Sequence, residues 1–569
     1  MNARFIVRVR VVAVLCTLVG LAIIGRLYFL QIVQGSAYSA RADAQFIVPA
    51  SPLMDRGSIV MTDKDGTEIT VASTKTGFSL AVNPTKIIDP EAAYAAVNAL
   101  LPVARDDFLA KATKPNTQYQ VIANRLDTAL GQELQQKNIP GVVLAQDTWR
   151  FYPGGALAAQ EVGFVAYNGD TLEGRYGLER YWEQTLARTN KNLYGNFFVQ
   201  LFGGVSDIVS GQPQTGSVVT SIEPAVQTEL ERTLVSYDQT WHPTLSGGIV
   251  MNPQNGEIYA MAVSPTFDLN QSGQQQDPLI YANPMVQNVY EMGSIIKPLT
   301  MAAGLDSGAI APTSTYNDLG CITVDTKPIC NFDKKARGVI PMQEILSQSL
   351  NLGASYIATR MGPSIMSDYF LNHYELGQES GIDLPAEQAG LLKNLASNRA
   401  VEYDTAAFGQ GIAITPIETV RALATIANGG YLVSPHFATM VHYDTGVTRD
   451  LSWGEKVPVL KASTSAAVTQ MLTKVVDTTL AGGAIKLAHY SVAAKTGTAQ
   501  IANPQGGGYY TDKFLHSFFG YFPSYNAQFI IFLFAYEPTG APFASQTWAQ
   551  PFHSLTQFLI NYYNVPPDR

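Results

Sequence analysis

Cysteine and histidine are scarce in this 569-residue sequence, with three of the first and seven of the second. No HExxH or CxxC spacing occurs and the histidines are scattered, so nothing supports a structural or catalytic metal. Basic residues are in deficit: 37 Lys and Arg stand against 46 Asp and Glu, a net charge of −9. Phosphate binding needs a concentrated basic face, so nucleic acid is not an expected partner. No repeat of solenoid period and no long low-complexity tract is present. What remains is an ordinary globular composition, 46% hydrophobic and 15% charged, in a chain too long for one hydrophobic core. Two or more domains are expected.

The N-terminus decides the compartment. Arg4, Arg8 and Arg10 precede an apolar run that extends, with Arg26 as its one charge, from Val11 to Val33. That length crosses a bilayer as a helix, and Arg26 toward its outer end can snorkel to the headgroups. Basic residues ahead of the run favour a cytoplasmic N-terminus and an exported body. Ala40-Arg41-Ala42 has the small-x-small form of a signal-peptidase site, but it stands well beyond the apolar run, and an uncleaved anchor is preferred. Cys16 lies inside this run. Cys321 and Cys330 bracket CITVDTKPIC, and in an exported domain they are either joined in a local disulfide or left as two free thiols.

Residues 34–211 read as mixed short strands and helices. SIVMTDKDGTEITVA predicts two strands around Lys64-Asp65-Gly66. Pro90 to Leu101 and Thr128 to Lys137 predict helices. No nucleophile–base pair stands out there, so a structural module is expected. Beyond Ser210-Gly211-Gln212-Pro213 the pattern changes. Pro224 to Ser236 predicts an amphipathic helix, and SGGIVMNPQNGEIYAMAV a hairpin turning at Asn252 to Gly256. SFFGYFPSYNAQFIIFLFAYEP predicts two further strands around Pro523 to Asn526, followed by a helix from Gln550 to Tyr562. Strands at both ends with a helical middle make an α+β pattern in which the first and last elements share one sheet. Gly506 to Gly508 suit a hairpin tip.

Three short motifs carry the chemistry. In YEMGSIIKPLT, Ser294 and Lys297 are three residues apart and share one face of a helix. A serine hydroxyl needs a base to take its proton, and a lysine serves only if burial or a neighbouring cation lowers its pKa. Backbone N–H groups near a helix start can stabilise an oxyanion. In ILSQSLNLGA, Ser349 and Asn351 offer a hydroxyl and an amide two residues apart, suited to a lysine amine and a substrate amide. In SVAAKTGTAQIA, Lys495 offers a cation and Thr496 and Thr498 offer hydroxyls to a carboxylate, while Gly497 allows close approach. Alone, a Ser-x-x-Lys pair is most often a solvated helix face and a Ser-x-Asn tripeptide a helix cap or polar turn, and the third motif also reads as a surface strand with a bulge. Their order, S-x-x-K, S-x-N, K-T-G-T, is the set of penicillin-binding proteins and class A β-lactamases.

The sequence resembles the class B penicillin-binding proteins, monofunctional peptidoglycan D,D-transpeptidases, over nearly its whole length. RLYFLQIVQGSAY follows the family's anchor, and DRGSIVMTDKDGTEIT is close to its R-G-x-I-x-D-R-x-G segment with one residue more. RFYPGGALAAQEVGFV and EGRYGLERYWEQTL match its pedestal signatures. IVMNPQNGEIYAMAVSPTFDLN and AAFGQGIAITPIETVRALATIANGG match its catalytic domain outside the active site. Met292 stands where the family usually has Pro, Glu223 where Asp is common, and no PASTA-like repeats follow. The resemblance implies a cytoplasmic tail (1–10), an anchor (11–33), a pedestal or dimerisation-type domain (34–211) and a transpeptidase domain (212–569) with an antiparallel sheet flanked by helices. It implies Ser294 as nucleophile, Lys297 as base, and Ser349 and Asn351 as relay and amide holders. It also implies Lys495, Thr496 and Thr498 as carboxylate binders beside Gly497, with no cofactor. The implied partners are peptidoglycan stem peptides, β-lactams and the membrane, with the catalytic domain on its outer side. Asn351 in the S-x-N motif and a compact pedestal lean toward the division-type group, which would add a polytopic glycan polymerase and divisome proteins. Three rivals are a β-lactamase or β-lactam sensor, a non-catalytic scaffold and an unrelated anchored adhesin. The first has no use for the anchor and large N-terminal module. A degenerate scaffold would be expected to have lost Ser294 or a motif lysine, and the adhesin would need three ordered motifs to coincide by chance.

Overall fold

The computed structural model describes residues 55–169, 171–188 and 215–569. The expected tail, the anchor over Val11 to Val33 and the Ala40-Arg41-Ala42 site lie outside the described residues. Among the described residues no helix is long and apolar enough to cross a membrane.

Contacts divide the chain into two compact units. The smaller holds Thr74–Arg150. Its strand residues 78–82 pair antiparallel with Gln120–Leu126. Helices Pro90–Asn98 and Thr128–Gln136 start where the sequence places them, because Asp89 and Asp127 accept hydrogen bonds from the first free backbone N–H groups. Leu80, Val82, Val97, Phe108, Leu126 and Leu134 form its core.

The larger unit holds Arg56–Ser73 together with Phe151–Arg569. The expected first hairpin is present: Thr62 faces Glu68, and Asp63 Oδ1 accepts from the N–H groups of Asp65 and Thr67 across the turn. Arg56 is buried and donates to Glu179 Oε2 at 2.6 Å, to the Glu179 carbonyl at 2.7 Å and to Glu183 Oε2 at 2.7 Å. Removing the Glu179 side chain takes away one buried charge-assisted bond and leaves Arg56 paired with Glu183. Glu179→Ala should therefore destabilise this unit by about 1.5–3 kcal/mol, read as a lowered Tm in thermal unfolding.

The centre of this unit is a five-stranded antiparallel sheet covered by helices. In chain order its main elements are α1 (Pro224–Trp241), β1 (Leu245–Met251), β2 (Ile258–Ser264), α2 (Lys297–Asp306), α3 (Asn351–Asp368), α4 (Pro416–Ala427), α5 (Ala462–Thr478), β3 (Ala493–Ala502), β4 (Tyr509–Phe522), β5 (Phe529–Tyr536) and α6 (Ala549–Tyr563). The sheet order is β3-β4-β5-β1-β2. β5 pairs with β1, Ile530 opposite Met251 and Tyr536 opposite Leu245, so the first and last strands do share one sheet. Both alternating sets of β5 side chains are buried from Phe529 to Ala535, which requires helices on both faces. α1 runs five residues beyond the expected Ser236 and ends at His242 in the left-handed region. Its start is capped by Glu223, which accepts from Val226 N at 2.6 Å and from the Tyr562 hydroxyl at 2.6 Å; the longer side chain serves the role a shorter Asp would. α2 packs against α3, α4 and α5, and its helical residues through Gly304 are all buried.

Candidate active site

Ser294 sits in a short 3-10 turn, Gly293–Ile296, that leads directly into α2 at Lys297. Gly293 has φ of +65°, a conformation glycine adopts without a Cβ penalty, and its N–H donates to the Gly409 carbonyl at 3.1 Å. A Cβ on Gly409 would lie 2.3 Å from the Gly293 carbonyl oxygen. The AAFGQG segment, expected outside the active site, therefore packs on the turn that carries Ser294. Met292 is buried, and its carbonyl accepts from Ser517 Oγ on β4 at 3.0 Å.

Lys297 is 1% exposed. Its ammonium nitrogen donates to the Ser349 carbonyl at 2.6 Å, to Asn351 Oδ1 at 2.8 Å and to Ser349 Oγ at 3.2 Å. Ser349 has φ of +56°, and both its carbonyl and its hydroxyl meet the lysine. Asn351 opens α3. Lys495, also buried, reaches the same Ser349 hydroxyl from β3 at 2.9 Å. One hydroxyl thus lies between two cationic side chains. Burial first, and the neighbouring Lys495 second, hold the Lys297 pKa well below the ordinary lysine range. Burial lowers that of Lys495 to about 7. Both shifts have the sign needed to expose a neutral amine near neutral pH.

Gly497 permits the close approach of β3 to the turn that carries Ser294. A Cβ there would stand 2.3 Å from Ser517 Oγ and 2.6 Å from the Met292 carbonyl. Thr496 and Thr498 are partly exposed on the strand. Thr498 Oγ1 accepts from Ala544 N at 3.0 Å, which leaves its own proton to donate elsewhere. The structure therefore joins Lys297, Ser349, Asn351 and Lys495 by direct hydrogen bonds and sets Gly497 against the turn that carries Ser294. Among the described residues no group of three or more His, Cys, Asp or Glu side chains could hold a metal ion.

Several neighbours have no counterpart in the motif reading. Glu291 Oε1 accepts from the Tyr509 hydroxyl at 3.2 Å, tying the segment before Ser294 to the tip end of the β3–β4 hairpin; burial raises the Glu291 pKa. Phe332 and Phe543 meet edge-on, ring centres 5.9 Å apart, while 63% and 43% exposed. The first follows the Cys330-Asn331 pair and the second precedes Ala544. No local pattern marks these residues, because each acts by reaching a segment distant in sequence. Cys321 and Cys330 are joined in a disulfide, which resolves the two alternatives for that pair.

If Lys495 holds a substrate carboxylate, it does so as the ammonium, present below about pH 7 in the free enzyme. Raising the pH through 7 removes the charge. The preference for a carboxylate-bearing β-lactam over its ester should shrink above pH 7, by at most about tenfold per pH unit. Acylation rates of the acid and ester, compared across pH 6 to 9, test this.

The family model described as Penicillin binding protein transpeptidase domain matches residues 247–553, more than half of the chain. The Penicillin-binding Protein dimerisation domain matches residues 54–193. Stage V sporulation protein D of Bacillus subtilis is 27% identical over 537 residues, covering 92% of this chain and 81% of its own length. Peptidoglycan D,D-transpeptidase FtsI of Buchnera aphidicola is 24% identical over 594 residues, covering 100% and 97%. Among solved structures, Penicillin Binding Protein 2X from Streptococcus thermophilus superposes with a TM-score of 0.72 at 20% identity, covering 90% of this chain and 81% of that one. Penicillin binding protein 3 from Mycobacterium tuberculosis in complex with aztreonam superposes with a TM-score of 0.68 at 24% identity, covering 91% and 98%.

Proposed function

The chain belongs to the class B penicillin-binding proteins, penicillin-sensitive serine D-Ala-D-Ala transpeptidases, and from that premise we propose that it cross-links septal peptidoglycan through an acyl-enzyme on Ser294. The observation that carries the chemistry is the burial of Lys297 against Ser349 and Asn351, with its pKa lowered. Neutral Lys297 takes the Ser294 proton as Oγ attacks the carbonyl between the terminal D-alanines of a donor stem. The backbone N–H groups of Ser294 and Thr498 hold the oxyanion. The C–N bond breaks, and the proton passes through the Lys297–Ser349 pair to the departing D-Ala amine. An amine of a neighbouring stem then attacks the ester, gives its proton back along the same pair and releases Ser294. Asn351 holds the peptide amide, and Lys495, Thr496 and Thr498 hold the terminal carboxylate.

Labelling of the protein by a fluorescent penicillin tests the reaction class. A long-lived adduct is expected; rapid turnover of the label would assign hydrolysis instead, and a folded protein that never labels would sink the enzyme reading. The division role is supported by Asn351 in the S-x-N motif and by relatives that bear the name FtsI. In this reading Val11 to Val33 anchors the chain in the cytoplasmic membrane with the catalytic domain outside. Residues 34–211 form the pedestal domain and residues 212–569 the transpeptidase domain, and anchor and pedestal bind a polytopic glycan polymerase and other divisome proteins. Depletion of the protein in its host should give undivided filaments. Rounded, swelling cells would assign it to elongation.

A further inference from the structure

The hairpin that carries the disulfide is thin. Cys321–Val324 and Lys327–Cys330 pair antiparallel, with Cys321 opposite Cys330 and Val324 opposite Lys327. Most of its residues are exposed or half-exposed, Ile329 being the buried one. A two-stranded ribbon of this length is marginal by itself. Yet the dipeptide at its end, Cys330-Asn331, is bonded both to Asn351 and Leu352 at the start of α3 and to Asp318 and Gly320. The Cys330 carbonyl accepts from Asn351 Nδ2 at 3.0 Å. Asn331 Oδ1 accepts from Leu352 N at the start of α3 at 3.2 Å. Asn331 Nδ2 donates to Asp318 Oδ1 at 2.8 Å, and Asn331 N to the Gly320 carbonyl at 2.9 Å.

The Cys330 contact decides which way Asn351 faces. An amide side chain offers an acceptor at one end and two donors at the other, and the two ends are nearly the same shape. A backbone carbonyl takes only the NH2 end. With that end engaged by Cys330, Oδ1 is left facing the ammonium nitrogen of Lys297 at 2.8 Å. Without the carbonyl in place, rotation of the amide would set NH2 against the lysine, where it repels the ammonium form and donates to the lone pair that the neutral form needs as a base.

We propose that the disulfide-closed hairpin is a positioning device for the Lys297 base: Cys321 and Cys330 are positioning residues that act through the Cys330 carbonyl and Asn351. The proposal rests on the reading of Lys297 as base. The S–S bond closes the ribbon and so limits where the Cys330 carbonyl can go. A displacement of about 1 Å at a proton-transfer group is enough to slow a reaction by about 100-fold.

The experiment uses the full-length protein in detergent and compares three forms. The first is oxidised wild type. The second is wild type reduced by a phosphine, which opens the S–S bond to two thiols and leaves as the phosphine oxide with oxygen from water. The third is Cys321→Ser/Cys330→Ser. The acylation rate constant and the dissociation constant of the preceding non-covalent complex are measured with one penicillin, and the same treatments are repeated on Asn351→Ala. Breaking the disulfide should slow acylation by about 10- to 100-fold with the dissociation constant changed less than about twofold. In Asn351→Ala it should cause no further loss, because the two changes act on one path. Unchanged acylation with both thiols titrated free would overturn the proposal. So would a loss that simply adds to that of Asn351→Ala, or one that appears in the dissociation constant, each being the mark of a general structural staple. Failure of the oxidised wild type to acylate at all would overturn the transpeptidase reading itself, so the two failures are distinct.

Discussion

Ser294→Ala should abolish stable penicillin labelling and lower cross-linking by about 10⁴-fold or more, a loss of the size seen when a serine nucleophile is removed. The reason is that no other hydroxyl has its position. Ser294 lies on a 3-10 turn fixed on three sides: the Gly293 N–H is bonded to Gly409, the Met292 carbonyl to Ser517, and Gly497 lies too close to the turn for any side chain. Ser349, the other motif serine, is held by two lysines and spends its hydroxyl as their acceptor. Ser294 is only half-buried, and the substitution deletes one oxygen with no hydrogen bond to the protein among those described. Stability should therefore change by less than about 0.5 kcal/mol, and Tm by less than about 2 °C. Labelling with a fluorescent penicillin followed by peptide mapping, alongside a thermal melt, checks both halves. A labelled mutant would place the nucleophile elsewhere.

Lys297→Met should lower the acylation rate by roughly 10²- to 10⁴-fold, the range expected when a general base is lost. Methionine matches the length of the chain but leaves Asn351 Oδ1 and the Ser349 carbonyl without their donor in a buried site, so some stability is lost as well. The pH profile separates the two effects. With Lys297 as the proposed base, acylation needs it neutral, which burial and Lys495 favour down to a pH well below the ordinary lysine range. With Lys495 as the proposed carboxylate binder, recognition needs it charged, which holds below about 7 in the free enzyme. The product of the two conditions is a bell. Its acid limb belongs to Lys297 and should vanish in Lys297→Met, while the alkaline limb belongs to Lys495 and should remain. An acid limb that survives the substitution would assign the base to another group.

Much of this was legible from residues alone. The β1–β2 and β4–β5 hairpins, the shared sheet and the helix starts at Pro90, Thr128 and Pro224 follow from apolar alternation and from local capping by Asp89, Asp127 and Glu223, which need only near neighbours. Element ends were less legible. α1 continues past Ser236 to Trp241 because its buried face continues to Tyr237, a matter of what packs on it. The AAFGQG segment matches the family outside the active site, and only the close approach of Gly409 to Gly293 shows that it packs on the turn that carries Ser294. The disulfide was open on spacing, since two cysteines nine residues apart bond only if the chain between them turns back in register, as it does at Val324 and Lys327.

The sequence by itself determined the candidate chemistry: a serine and a lysine one helical turn apart, a hydroxyl and an amide in a second motif, a lysine and hydroxyls in a third, in one order along the chain. Only the tertiary structure decided that these form one site. The Lys297–Ser349 and Lys495–Ser349 contacts join residues 52 and 146 positions apart. A lysine becomes a base when its charge is desolvated and crowded by another cation, and both conditions are set by side chains from α3 and β3 closing over α2, which no stretch of sequence around Lys297 contains.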